Sequence, residues 1–331
     1  MEIVRTRRPM ERNIALELVR VTESAAISAG RHMGQGDKNL VDQAAVDAMR
    51  FTLGSIPMDG IVVIGEGEKD EAPMLYIGER IGDGSSPQVD VAVDPIDGTT
   101  LAAKGLPGAI SVIALSPRGT MHIPREIVYM NKIVVGPDAR HAIDITASVT
   151  ENLKNIAWAL KRKVWELTVV VLDRPRHDAL LAEIRATGAR VRLISDGDVV
   201  AGISAALPDT GVDVAMGIGG SPEGVLTAAA LRCIGGAIHA MPWARDDQQR
   251  ARAEAAGIDF KTVYTTESLV SADDVFFAAT GVTGGDLLNG VRYIDGHAVT
   301  QSLVMRAYSG TIRWIESVHN LERLDKVRFT D

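Results

Sequence analysis

Between residues 11 and 34 the apolar positions, from Ile14 through Leu18, Val19 and Val21 to Ile27, recur at helical spacing and predict an amphipathic helix. A second helix is expected over about 42–54, with Asp42 opening it as an N-cap. Apolar runs then replace the periodicity, and Ile61–Ile64, Val89–Val93, Ala109–Leu115 and Tyr129–Val135 read as strands. From about 150 the rhythm alternates: helix 150–162, strand 167–172, helix 176–187, strand 190–195, helix 198–206, strand 212–217 and helix 222–234. That order implies a largely parallel sheet in the second half. Ala298–Ala307 and Thr311–Val318 look like paired strands near the end. No repeat or Pro/Ser-rich linker divides the chain, yet 331 residues exceed what one core usually organises. Two α/β halves are expected, 1–148 and 149–331.

Composition narrows this picture. Hydrophobic residues make up 46% and aromatics only 4%, with 32 glycines, so the core is aliphatic and the turns are glycine-rich. The net charge of -8 argues against nucleic-acid binding, which draws on clustered Lys and Arg. It also requires that local basic groups or bound cations offset the repulsion of any anionic substrate. The single cysteine, Cys233, sits in an apolar stretch and reads as a buried small hydrophobe; a reducing cytoplasm is the expected compartment. No apolar run approaches the ~18–20 residues of a membrane span. Arg5, Arg7, Arg8 and Pro9 have no hydrophobic segment behind them, so a frayed arm is expected there, not a signal peptide.

The chemistry gathers where strands end. Asp94-Pro95-Ile96-Asp97-Gly98-Thr99-Thr100 follows a strand and sets two carboxylates on a bend that Pro95 stiffens. Gly98 permits backbone geometry that other residues resist, and Thr99 and Thr100 can open a short helix whose N–H groups favour phosphate. The bland alternative is an acidic turn with ordinary caps. Gly65-Glu66-Gly67-Glu68-Lys69-Asp70 is a second acidic strand end, which alone could equally be a solvated loop. In Gly217-Ile218-Gly219-Gly220-Ser221-Pro222-Glu223-Gly224, Ser221 is the expected N-cap and Glu223 falls in the first helical turn. Arg174 and Arg176 flank Pro175 at a strand's carboxyl end and suit a phosphate, or else are two solvated arginines opening a helix.

Other readings fail on inspection. Pro222 stands where a dinucleotide fingerprint needs its third glycine, and Gly34-Gln35-Gly36-Asp37-Lys38 lacks the spacing of a P-loop. No histidines pair at i, i+4 around a glutamate, and there is no cysteine pair. The available ligands are oxygens, which suits Mg²⁺ or Mn²⁺.

Asp94-Pro95-Ile96-Asp97-Gly98-Thr99 resembles the signature of the lithium-sensitive, metal-dependent phosphatases, which include inositol monophosphatases and fructose bisphosphatases. Arg20-Val21-Thr22-Glu23, Gly36-Asp37-Lys38-Asn39, Ile64-Gly65-Glu66-Gly67-Glu68 and Ala72-Pro73-Met74-Leu75-Tyr76 resemble bacterial class II fructose-1,6-bisphosphatases in particular. So do Arg174-Pro175-Arg176-His177, Ser195-Asp196-Gly197-Asp198 and Pro222-Glu223-Gly224, and the likeness runs from about 15 to 320. Where the inositol branch usually carries Trp-Asp, Gly220-Ser221-Pro222-Glu223-Gly224 stands instead.

The resemblance implies a layered α/β/α/β/α sandwich with two mixed β-sheets. The N-terminal half would carry the metal acids, and the C-terminal half the sugar and distal-phosphate site. It implies a phosphoric monoester hydrolase that removes the 1-phosphate of fructose-1,6-bisphosphate in gluconeogenesis, as a cytoplasmic dimer or tetramer. Sedoheptulose-1,7-bisphosphate is the alternative substrate, and an inositol or nucleotide-linked phosphate a more distant one. Asp42, Glu66, Asp94, Asp97 and Glu223, with the Ile96 carbonyl, would hold two or more Mg²⁺ or Mn²⁺ ions. Thr99 would position the attacking water, with Asp42 and Asp94 also in the catalytic group. Asp97 is glutamate in some relatives, which changes reach but not charge. Substrate would meet Asp97, Gly98, Thr99, Tyr129, Arg174, Pro175, Arg176, Asp196, Gly197, Asp198 and Gly220. A sugar-phosphate-binding regulator without catalysis is disfavoured by the complete acid set, and an NAD-dependent oxidoreductase by the broken glycine pattern.

Overall fold

The first amphipathic stretch folds as α1 (Ile14–Gly30), with Leu18, Val21, Ala25 and Ile27 buried. The computed structural model of the chain describes Met10, residues 14–67 and residues 74–324. The arm with Arg5, Arg7, Arg8 and Pro9, the expected helix start at 11–13, and Glu68, Lys69, Asp70, Ala72 and Pro73 lie outside the described residues. α2 (Lys38–Leu53) begins earlier than expected because Asp37, not Asp42, is its N-cap: the Asp37 side chain accepts from the Leu40 N–H at 3.1 Å. Asp42 therefore lies inside the helix, relieved of capping.

The chain continues through β1 (Asp59–Ile64), β2 (Arg80–Ile81), β3 (Gln88–Asp97), the short α3 (Thr99–Lys104), β4 (Ile110–Pro117) and β5 (Tyr129–Val135). α4 (Val149–Ala159) opens on a capping box between Ser148 and Glu151. Next come β6 (Thr168–Leu172), a 3₁₀ turn at Pro175–His177, α5 (Asp178–Ala186), β7 (Arg190–Ile194), α6 (Asp198–Ala206), β8 (Val214–Gly220) and α7 (Ser221–Ile234). After them come β9 (Ala237–Trp243), α8 (Asp247–Ala255), β10 (Tyr264–Thr265), α9 (Thr266–Leu269), β11 (Phe276–Gly281) and β12 (Arg292–Ile294). The expected closing pair is β13 (His297–Arg306) with β14 (Thr311–Asn320), antiparallel along its whole length.

The strands form two mixed sheets, one ordered β12-β13-β11-β4-β3-β1-β2 with β14 on β13, the other β10-β9-β5-β8-β6-β7. Strands from both sides of residue 148 enter each sheet, since β5 joins the second and β11–β14 return to the first. The second sheet is not largely parallel. β6 pairs in parallel with β7 and β8, but β5 runs antiparallel to both β8 and β9. The alternation of helices and strands sets β8 and β9 in the same direction; β5, arriving from earlier in the chain, inserts between them reversed.

Alternate residues of the same strands feed different cores. Val91, Val93, Leu115 and Phe276 pack against α1 and α2 through Leu18, Ala25, Val41 and Met49. Their neighbours Ala92, Ala114 and Phe277 face Val199, Ile203, Val225 and Leu226 of α6 and α7, with Met130, Val134 and Ile238 of the second sheet beyond. The outer face of that sheet, Ile133, Val135, Val169 and Val171, is covered by Leu153 and Ile156 of α4 and Leu181 and Ile184 of α5. The order is α/β/α/β/α. Strands buried on both faces read as unbroken apolar runs, which is why they stood out. The consecutive residues Phe276 and Phe277 send their rings to opposite faces and anchor two separate cores, and losing either would cost ~3–5 kcal/mol. Cys233 is buried as expected, its thiol donating to the Val275 carbonyl at 3.5 Å.

Candidate active site

On the first sheet, β1 and β3 are parallel neighbours, with Ile64 beside Ala92, so both end at one edge. Glu66, just beyond β1, and Asp94 and Asp97, at the end of β3, are thereby carried to the same place. β3 does not stop at residue 93 but runs on to Asp97, which pairs with Ile110 after a register shift between Asp94 and Asp97. Pro95 has no N–H for the ladder, so this bulge is where it can be accommodated. Within the bulge Asp94 Oδ1 accepts from the Ile96 N–H at 3.0 Å, and the Thr99 hydroxyl donates to the Ile96 carbonyl at 3.1 Å. Gly98, at φ 91°, turns the chain directly into α3, so Thr99 opens a helix as expected.

On the second sheet the parallel strands β6, β7 and β8 also share an edge, and from it emerge Arg174-Pro175-Arg176, Ser195–Asp198 and Gly220–Glu223. β5 is antiparallel and begins at that edge, placing Tyr129 opposite Gly220. The exposed Arg176 guanidinium donates to the Ile218 carbonyl at 2.9 Å and lies 5.8 Å from the centroid of the Tyr129 ring. Arg174 donates to the Asp173 carbonyl at 3.0 Å. Ser221 is not the cap of α7: Gly220 holds that position, and the Ser221 hydroxyl donates to the Ile127 carbonyl instead. Glu223 stands in the first turn, as expected.

The two edges face one another. Asp97 Oδ2, from the first sheet, accepts from the Val200 N–H of α6 at 3.4 Å. The Asp94 carboxyl is raised well above the usual carboxylate range, by burial first and then by Asp97, Glu223, Glu66 and Asp42. Burial, followed by Asp198, Glu223 and Asp196, raises Asp97 in the same way. Glu66 is pushed up to about 7 by burial and by Asp42, and Asp42 is itself raised by burial. Glu223 is raised by burial and by Asp198, against the opposing charge of Lys132. The five acids expected to bind metal thus converge with Asp196 and Asp198 in one mutually repelling group.

Among the described residues no three His, Cys, Asp or Glu side chains stand together as a ready-made coordination shell. The chemistry of the donors nevertheless fits a hard divalent cation. All are carboxylates, and Glu223 Oε2 is buried with no hydrogen-bond partner among the described residues.

Two residues of this centre were missed by the sequence reading. Lys132 is buried in mid-strand, its ammonium donating to Asp198 Oδ2 at 2.6 Å and to the Gly220 carbonyl at 2.9 Å. A lysine inside the apolar run of β5 was the available signal. His177 is buried behind Arg176; its Nδ1 is 2.7 Å from the Leu172 carbonyl and its Nε2 accepts from the Ile218 N–H at 2.7 Å. Those partners make Nδ1 the protonated nitrogen of a neutral ring, and burial lowers its pKa. The ring braces β8 against the turn that carries Arg176. A Cβ on Gly217, whose φ is 126°, would come within 2.9 Å of it.

The family model described as bacterial fructose-1,6-bisphosphatase, glpX-encoded, matches residues 12–319. The chain is 45% identical over 329 residues to fructose-1,6-bisphosphatase 1 class 2 of Escherichia coli strain K12, covering 96% of this chain and 98% of that one. The class 2 fructose-1,6-bisphosphatases of Escherichia coli O6:H1 and Shigella flexneri match with the same 45% identity and the same coverage.

Proposed function

This chain belongs to the bacterial, glpX-encoded family of fructose-1,6-bisphosphatases, and from that premise we propose that its acidic centre hydrolyses the 1-phosphate of fructose-1,6-bisphosphate, giving fructose-6-phosphate and phosphate in the gluconeogenic direction. The observation that carries this reading is the gathering around Asp94 of four further carboxylates, from the loop after β1 and from α2, β3 and α7, facing the edge of the second sheet where Arg176 and Tyr129 emerge.

The family is metal-dependent, and Asp42, Glu66, Asp94, Asp97 and Glu223 would hold two or more Mg²⁺ or Mn²⁺ ions, which supply positive charge to the reacting phosphate and acidify water. The Thr99 hydroxyl, at the start of α3, orients the attacking water. Its own proton is already committed to the Ile96 carbonyl, so its oxygen is free to accept. A carboxylate of the Asp42 and Asp94 group takes the proton of that water as its oxygen bonds to phosphorus. The bond from phosphorus to the sugar's C1 oxygen breaks on the opposite side, and a proton returns to that oxygen. Gly98 and Thr99 present backbone N–H groups to the phosphoryl oxygens. Tyr129, Arg174 and Arg176, with Pro175 fixing the turn, take the distal phosphate; Asp196, Gly197, Asp198 and Gly220 line the sugar.

We place the reaction in a reducing cytoplasm, supported by the single buried cysteine. No helix among the described residues is long and apolar enough to cross a membrane. A homo-oligomer, dimer or tetramer, is supported by β14, whose Trp314 and Val318 are 53% and 68% exposed; light scattering would test it. The function is tested by phosphate release from fructose-1,6-bisphosphate with and without EDTA. Sedoheptulose-1,7-bisphosphate and an inositol phosphate should be run beside it under saturating metal. Release that persists in EDTA, or a preference for the inositol phosphate, would overturn the reading.

A further inference from the structure

Resting on that reading of the site, we propose that Lys132 is a positioning residue for sugar recognition: it fixes the Asp198 carboxylate so that the free oxygen meets a substrate hydroxyl. Lys132 lies mid-way along β5 and is 8% exposed. A buried ammonium persists only where acceptors satisfy it. Its two acceptors belong to different elements, Asp198 being the first residue of α6 and Gly220 the last of β8, at the N-cap of α7. One side chain therefore ties three segments together at the edge assigned to the sugar.

The geometry treats the two oxygens of Asp198 differently. Oδ2 is held at 2.6 Å from Nζ, whereas Oδ1 is buried with no hydrogen-bond partner among the described residues. A buried carboxylate oxygen without a donor is costly, and a sugar hydroxyl is a donor of the right kind. Gly219 makes the pairing possible: a Cβ there would collide with Asp198 Oδ2 and come within 2.8 Å of Nζ. The ammonium also opposes the charge on Glu223, so its effect on the sugar must be separated from an effect on the metal acids. Because its direct contact is with Asp198, its loss should be felt by substrates that carry the sugar and hardly by those that do not.

The test uses the full chain with saturating Mg²⁺ or Mn²⁺, as wild type, Lys132→Met, Asp198→Asn and the double variant. KM and kcat are measured for fructose-1,6-bisphosphate, and kcat/KM for p-nitrophenyl phosphate, an aryl monoester without a sugar. Each single variant should raise KM for the sugar bisphosphate ~10–100-fold, the range of one charged hydrogen bond. Any fall in kcat/KM for the aryl phosphate should be at least ~10-fold smaller than the fall for the sugar bisphosphate, and the double variant should be no worse than either single one, since both act through one carboxylate. Multiplying losses in the double variant, an equal fall with the aryl phosphate, or a wild-type KM in folded Lys132→Met would overturn the proposal. If Lys132→Met does not fold, Asp198→Asn is compared with the double variant, from which both charges are gone. Equal KM values then support the proposal, and a higher KM in the double variant overturns it. Failure of the underlying substrate reading looks different, because wild type itself would release no phosphate from fructose-1,6-bisphosphate.

Discussion

Asp97 and Val200 join the two sheets across the site: the Asp97 carboxylate, at the tip of β3, accepts from the Val200 N–H in the first turn of α6 at 3.4 Å. The bond holds a proposed metal ligand of the first sheet against the helix that carries Asp198. Charge and acceptor can be separated here, because asparagine keeps an acceptor oxygen and loses the charge. Asp97→Asn should fold like wild type and lose kcat by at least ~10²-fold, the usual contribution of such a group. Asp97→Ala should lose the same activity and stand ~1 kcal/mol below Asp97→Asn in stability, the net worth of one hydrogen bond. Kinetics and thermal unfolding of the two variants check this; a fully active Asp97→Asn would remove Asp97 from the metal group.

Thr99 is the second point of separation. Its hydroxyl donates to the Ile96 carbonyl inside the bulge, so the side chain could serve only to brace the bend. Thr99→Ser keeps the hydroxyl and should keep much of the activity, while Thr99→Ala should lose ~10²–10⁴-fold in kcat. Equal losses in both would mean that the methyl group, and hence packing, is what matters.

The acid cluster was legible in the sequence because its members sit where apolar runs stop. Ile61–Ile64 and Val89–Val93 pointed straight to Glu66, Asp94 and Asp97. Interior features left weaker local marks. Asp37 and Asp42 are both plausible caps five residues apart, and only the Leu40 N–H decides between them. The insertion of β5 between β8 and β9 is a long-range pairing that no local period records. Lys132 escaped notice for the same reason, since its partner Asp198 lies 66 residues away. His177 was hidden beside two arginines whose charge drew the reading.

The raised carboxyls make a pH prediction for the metal-stripped protein. Glu66 moves from its ordinary 4.5 to about 7 on folding. Between those values the folded chain keeps a proton that the unfolded chain has released, so stability falls as pH rises through this window. The contribution is fully present below about pH 4.5 and is lost above about 7, on the order of a few kcal/mol. Asp94 and Asp97 add in the same direction. The carboxylates with lowered pKa, such as half-buried Asp59 and exposed Asp144, act at more acid pH, whereas His177 and His239, lowered by burial, oppose the fall below about pH 6.5 and do so alike in wild type and Glu66→Gln. Thermal unfolding in EDTA should show Tm falling from about pH 5 to 7, less steeply in Glu66→Gln. Added Mg²⁺ or Mn²⁺ should restore Tm most at the upper end, where the cation no longer competes with protons. A Tm in EDTA that does not change with pH, or an unaltered slope in Glu66→Gln, would contradict the burial argument.

The acid group can serve one reacting phosphate, so a second phosphate requires its own cationic receptor. Arg176 is exposed on the 3₁₀ turn after β6, with its guanidinium held by the Ile218 carbonyl at 2.9 Å and set 5.8 Å from the Tyr129 ring centroid. His177, braced between Leu172 and Ile218, fixes the turn from behind, so the guanidinium is presented with little freedom left to lose. Arginine offers two parallel donors to a phosphate, a geometry that lysine cannot copy. Arg176→Ala should therefore raise KM for fructose-1,6-bisphosphate ~10–100-fold, the ~1.5–3 kcal/mol of a hydrogen bond to a charged group. Arg176→Lys should recover only part of that loss, through charge without the fork. A small monophosphate lacking the distal group should respond little to either change. If both substrates suffer equally, Arg176 serves the reacting phosphate or the fold, and the distal-phosphate assignment fails.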